Sequence, residues 1–204
     1  MFKAFLTKFS ITSEYPRGKD EDIFSSVPFE LFELLRLMGG STFDKGLYRI
    51  HTFKSSVKWS IQLADYFPSY KNQIFPFGYD WLSRQFCIDK SNQVIYMFDP
   101  ATIEDFKLNK SLSAFHNEDV VNDLFAVDLF KNVCSYCKLR TLDYDDCLGY
   151  KVPLFLSGKD NIENHEKQNI EVYWHFTTQL HVQIRNLPEG TRIGNIKIEE
   201  DKLK

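Results

Sequence analysis

Cys134 and Cys137 form a C-x-x-C, Cys147 follows ten residues on, and His165 could supply a fourth ligand. Three thiolates and one imidazole would suit a tetrahedral zinc ion. Such sites need a second C-x-x-C or a closely spaced histidine pair, and neither is present. A redox C-x-x-C would follow a strand, whereas this one ends a helical pattern. The plainer reading is buried helix cysteines acting as small hydrophobes. Four free thiols and no metal are therefore expected, because a one-turn helical spacing is a poor geometry for a disulfide. The five histidines, His51, His116, His165, His175 and His181, are scattered. His116 has Ser111 and Ser113 nearby, but no G-x-S-x-G elbow surrounds either serine. It reads as a hydrogen-bonded structural histidine. Gly39-Gly40-Ser41-Thr42 lacks the lysine and spacing of a phosphate loop, and reads as a glycine cap followed by a turn.

Asp143, Asp145 and Asp146 place three carboxylates in four residues. No glycine and no distant glutamate complete a calcium loop. A solvated loop is one reading, and a negative patch for a basic partner is the other. Glu163 and Glu166 lie in a second charged segment, residues 157–169. These five acids are the candidate partner-binding residues; no catalytic, cofactor-binding or metal-binding residues are assigned.

The elements that must hold these residues are organised around residues 75–100. Two apolar runs, 84–88 and 94–98, are rich in aromatic and β-branched side chains. Asp89-Lys90-Ser91-Asn92-Gln93 between them is turn chemistry, so the pair reads as a β-hairpin. Phe86, Ile88, Ile95 and Met97 are its expected core residues. Gly78 and Asp80 read as a tight turn before it, and Asp99-Pro100 as its stop. Upstream, Phe2, Phe5, Leu6 and Phe9 recur at helical spacing. Residues 10–22 read as a loop. A helix follows with Ser25 or Ser26 as cap, Pro28 in its first turn and Gly39-Gly40 at its end. Residues 46–53 read as a strand, and a helix starts at Ser55 or Ser56 and closes at Phe67-Pro68. Downstream, 104–108 reads as a short strand. Ser111 caps a helix that continues to Cys137 with a break near Ala126. Residues 150–156 read as extended, 170–187 as the last long helix, and 193–198 as a final strand. Helices and strands are interspersed without regular βαβ alternation. The fold class expected is α+β with a largely antiparallel central sheet covered by helices.

The chain of 204 residues suits one compact domain over 1–204. Its 43% hydrophobic content, with 19 Phe, 10 Tyr and 3 Trp, can fill a core. A net charge of −3 argues against broad attraction to nucleic acid or membrane. The first residues carry no small-residue cleavage site, and no apolar run reaches the ~20 residues of a membrane span. Four cysteines without a secretory signal point to reduced thiols in a cytoplasm.

A family resemblance supplies the functional expectation. In order along residues 29–191 run Leu34-Leu35 to Met38-Gly39-Gly40, GLYRIH (46–51), FPFGYDWLSRQFCID (75–89), IYMFDP (95–100), FHNED (115–119), GYKVPLFLSGKD (149–160), EVYW (171–174) and LPEGT (187–191). This set resembles the bacterial family named for the C-terminal domain of type VI secretion DNase-immunity proteins. The front half, 1–70, resembles the GAD-like domain that often precedes it, with 71–204 as the C-terminal lobe. The helix-Gly-Gly-strand start is also similar to the SUKH (Smi/Knr-like) immunity superfamily. The resemblance implies a non-enzymatic cytoplasmic protein that binds and neutralises a cognate secreted toxin, typically a nuclease. It carries over no shared catalytic residues and no toxin contacts by position. A regulatory adaptor of the Smi/Knr-like type is the alternative, followed by a small hydrolase, which would need a deep pocket with convergent polar groups.

Overall fold

The hairpin at residues 85–99 lies inside a longer antiparallel sheet, which explains why both its faces are apolar. In the computed structural model, which describes residues 1–16, 27–188 and 190–194, seven strands pair in chain order. They are β1 (Ile11–Glu14), β2 (Ser41–Phe43), β3 (Tyr48–Ile50), β4 (Ile74–Asp80), β5 (Gln85–Asp89), β6 (Ile95–Asp99) and β7 (Glu104–Lys107). Two more, β8 (Asp146–Tyr150) and β9 (His165–Asn169), form a separate antiparallel ribbon. The α-helices are α1 (Lys3–Lys8), α2 (Phe29–Met38), α3 (Phe53–Tyr66), α4 (Leu112–Ala114), α5 (Val127–Tyr136) and α6 (Ile170–Ile184). The fold is α+β with an antiparallel sheet covered by helices.

In the hairpin, Phe86 pairs with Met97 and Ile88 with Ile95. All four are buried, in one core with Phe5 of α1, Leu31 and Leu34 of α2, and Phe115 and Phe130. The alternate residues Cys87 and Phe98 enter a second core with Trp59 and Leu63 of α3 and Ile170, Tyr173 and Trp174 of α6. A strand covered on both faces has no polar alternation to show. The hairpin loop uses the expected turn chemistry. Asp89 Oδ1 accepts from the Ser91 amide and hydroxyl, and Asn92 Oδ1 accepts from the Val94 amide.

Several boundaries differ from the sequence reading. Residues 11–14 form an edge strand instead of a loop, and Ser41–Phe43 is a strand instead of a turn. Both are too short and polar to show a period. The strand expected over 46–53 is confined to Tyr48–Ile50. The N-cap of α3 is Thr52, whose hydroxyl accepts from the Ser55 amide, and Ser55 and Ser56 lie inside the helix. Pro28 is itself the cap residue of α2, while Ser25 and Ser26 lie outside the described residues. Gly78 sits within β4, beside an irregularity at Pro76. A Cβ there would lie 2.5 Å from the Tyr48 hydroxyl and 2.8 Å from the Arg49 carbonyl, so close approach demands glycine. The expected extended run at 150–156 is displaced: β8 precedes it, and Leu154–Leu156 is a 3₁₀ turn. The charged loop at 157–169 contains β9. The last helix ends at Ile184, with Trp174 buried and Phe176 exposed. Residues 195–198 of the expected last strand lie outside the described residues.

The break near Ala126 is present as a left-handed residue, φ 48° and ψ 63°, that starts α5 afresh. Ser111 caps α4 by accepting from the Ala114 amide, and the chain continues as a π-helical turn, Phe115–Val120. Among the described residues no helix is long and apolar enough to cross a membrane.

Candidate partner-binding site

Residues 143–146 are held largely through their backbone carbonyls. Arg49 of β3 is fully buried. Its guanidinium donates to the carbonyls of Asp80 at 3.2 Å, Asp143 at 2.9 Å and Asp146 at 2.5 Å, and it lies over the Tyr79 ring. Tyr79 donates its hydroxyl proton to the Tyr144 carbonyl. Tyr144 points back into the fold, where its hydroxyl accepts from the Thr52 amide at 3.0 Å and donates to the Ile50 carbonyl at 3.1 Å. Tyr15 stacks on Tyr144 with ring centroids 4.4 Å apart. The Asp145 carbonyl accepts from Ile170 N and from Asn169 Nδ2, and Asn169 also caps α6. A loop tied at this many backbone positions has little conformational entropy left to lose on binding.

The carboxylates form a mixed patch. Lys167 of β9 reaches Asp146 at 2.7 Å and Asp143 at 3.3 Å. Lys58 of α3 pairs with Glu171 of α6 at 2.6 Å. Partial burial raises the Asp145 carboxyl above its ordinary range, and the neighbouring Glu171 and Asp146 add to the rise. The loop therefore presents Asp143, Asp145, Asp146 and Glu171 against two ammonium groups. Glu171 was not among the sequence candidates. Its signal was its place two residues after the capping asparagine, in the first turn of a helix, where acids favour the N-terminal dipole.

Glu163 and Glu166 are not brought to this patch. Asp146 pairs with Asn169 at one end of the β8–β9 ribbon, whereas Glu166 faces Gly149 towards the other. Glu163 lies beyond that far end, in the turn Ile162–Asn164. A four-residue strand step separates the two ends by about 14 Å. Both glutamates are exposed.

The cysteine and histidine candidates are dispersed. Cys134 lies on α5 and Cys137 follows it, while Cys147 is buried on β8 in the second core. All four cysteines are free thiols, and burial pushes the Cys134 thiol up to about 11. His165 donates from Nδ1 to the Leu148 carbonyl. Among the described residues no group of three or more His, Cys, Asp or Glu could hold a metal ion. His116 is a core residue: Nδ1 donates to the Leu112 carbonyl at 2.8 Å, and Nε2 accepts from the Tyr48 hydroxyl at 3.2 Å.

One arrangement superficially resembles a hydrolytic triad. His51 lies between Ser55 Oγ at 3.0 Å and Gln85 Oε1 at 2.8 Å. The ring presents Nδ1 to the serine, and neutral Gln85 cannot offset the charge of an imidazolium. Ser55 Oγ is also within hydrogen-bond reach of Thr52 and Tyr144, so the group works as the joint between α3 and the 143–146 loop. A groove of about 770 Å³ lies elsewhere, between the end of α3 and α6, with Asp65, Asp105 and Arg185 on its walls. It does not include the serine–histidine pair.

Residues 105–181 match the family described as T6SS immunity protein Tdi1, C-terminal. The resemblance to type VI secretion immunity proteins is borne out over that segment, which contains the acidic loop, the ribbon and most of α6. The match supports an immunity role; the likenesses to the GAD-like domain and to the SUKH superfamily rest on the motifs alone. No curated protein matches the chain. Among solved structures, Atu4351 from Agrobacterium tumefaciens is similar, with a TM-score of 0.66 at 11% identity over 88% of this chain and 89% of that one. At that identity the likeness is one of fold.

Proposed function

We propose that this chain, acting as one unit, is a non-enzymatic immunity protein that binds and neutralises one cognate secreted toxin, a nuclease, in the cytoplasm of the cell that makes it. The observation that carries the reading is the family match over residues 105–181. The geometry supports a binding role through the loop at Asp143, Asp145 and Asp146. A nuclease must be basic where it grips phosphate. A rigid acidic surface that blocks such a site gains encounter rate and selectivity from charge complementarity. Glu163 and Glu166 join the contact where the toxin spans the length of the ribbon.

Changing Asp143, Asp145 and Asp146 together to Asn tests the loop. The fold is expected to survive, because Arg49, Tyr79 and Asn169 hold backbone carbonyls that the substitution keeps. Association with the toxin is expected to slow about tenfold at low salt, with a flatter dependence on ionic strength. Stopped-flow mixing over a salt series measures both. An unchanged rate constant would remove the loop from the contact while leaving the immunity role to its own test.

A further inference from the structure

Beside the acidic loop lies a pocket of opposite character. It has a volume of about 430 Å³ and opens between the β2–β3 turn and α5. Its walls include Leu47, Phe130 and Cys134, of which the first two belong to the main core. Lys45 and Arg140 stand on its rim, and among the described residues neither side chain meets a carboxylate. Asp44 is the acid among the lining residues, and its Oδ1 is turned to the Ser10 amide at 2.9 Å. The third cation, Lys131, is already paired with Asp128 at 3.1 Å.

The pocket and the acidic loop are joined rigidly. The Leu142 amide donates to the Lys45 carbonyl at 2.8 Å. A Cβ at Gly46 would fall 2.5 Å from the Leu142 Cβ, so the turn carrying Lys45 is pressed against the residue preceding Asp143. Two residues lie between Arg140 and Asp143, so at most about 11 Å of chain joins them. A basic-rimmed apolar pocket and an acidic ridge thus form neighbouring parts of one face.

We infer that this pocket is a second contact for the same toxin, seating an apolar side chain of the partner next to a carboxylate that Lys45 and Arg140 hold. The inference rests on the immunity reading. Two cations that meet no carboxylate among the described residues, set around an apolar floor, select a segment that is both acidic and apolar, since a basic segment is repelled at the rim and a purely polar one leaves the floor unfilled. The juxtaposition of opposite charges also fixes orientation. A toxin docked with its basic site on Asp143 and Asp145 presents its acidic segment on one side only.

The experiment is biolayer interferometry of this chain against a catalytically inactivated toxin whose gene adjoins the gene for this chain. Three proteins are compared: wild type, Lys45→Glu with Arg140→Glu, and Ser135→Trp, which fills the pocket from α5 without changing charge. Melting curves verify that each variant is folded. Both variants are expected to weaken binding about thirtyfold or more, mainly through faster dissociation, because a seated contact resists release. A folded variant of either kind that binds within about twofold of wild type overturns the pocket contact. Failure of the wild-type chain to bind overturns this inference and the immunity reading together.

Discussion

Replacing Arg49 with methionine lowers the unfolding free energy by about 2–3 kcal/mol, a large share of the stability of a chain this size. The side chains are similar in length, so the loss is electrostatic in origin. Arg49 sits at 0% exposure and serves the carbonyls of Asp80, Asp143 and Asp146. Burying an ion is itself unfavourable, and replacing both members of a buried pair by hydrophobes can be harmless. That escape is closed here, because the partners are backbone carbonyls that no mutation removes. Methionine takes one charged donor from each of three carbonyls; the Asp80 and Asp143 carbonyls keep the Ser83 and Asp146 amides, so the loss is that of the second, charge-assisted partner. Arg49→Lys recovers only part of the loss, since one ammonium cannot reproduce the planar fork. Urea titration gives the stability change. Hydrogen exchange of the amides of residues 143–147 gives its location, with faster exchange expected there than in the hairpin. A loss below about 1 kcal/mol would mean that the loop is held by other contacts.

Acidification from pH 6.5 to 4 is expected to destabilise the protein, with His51 and His116 as the main contributors. Both rings are fully buried, and burial pushes each down to about 4 from an ordinary value near 6.5. Hydrogen bonds donated to Gln85 Oε1 by His51 and to the Leu112 carbonyl by His116 oppose the shift without cancelling it. The unfolded chain therefore binds protons in this window that the folded chain refuses. Stability contributed by the neutral rings is complete above 6.5 and is lost as pH falls towards 4, by about 3 kcal/mol for each ring at full protonation. Asp99 and Asp145 act in the opposite sense, because burial raises their carboxyls. Comparison with a variant isolates the imidazole contribution. His116→Gln should be less stable than wild type at pH 7.5 and should lose less stability between 6.5 and 4. Parallel pH profiles for the two proteins would contradict the assignment.

The hairpin was legible because its two runs and its Asp-Ser-Asn loop are local signals that agree with one another. The same holds for Ser111 as a cap and for the break at Ala126. The strands β1, β2 and β9 were not legible. Their residues, Ile-Thr-Ser-Glu, Ser-Thr-Phe and His-Glu-Lys-Gln-Asn, are short, polar or edge-bound, and only pairing with distant partners makes them strands. The acidic residues of the candidate site could be read from the sequence, but their setting could not. A lone arginine within an apolar strand was the trace of the anchor for the 143–146 loop, yet nothing local says that its partners lie 94 and 97 residues away. The separation of Glu163 and Glu166 from the aspartates follows from the ribbon register, which is equally non-local. The pocket at Lys45 and Arg140 joins residues nearly a hundred positions apart and leaves no periodic mark.

The most direct test of the central claim is protection. The gene for this chain and a toxin gene adjoining it are expressed together in a cell that the toxin alone kills, and survival, genomic DNA integrity and complex formation are measured. Growth restored by the wild-type chain, intact DNA and a complex of the two proteins recovered from the surviving cells are expected. Toxin-induced death that continues in the presence of folded, abundant wild-type chain, with no complex formed, would contradict the claim.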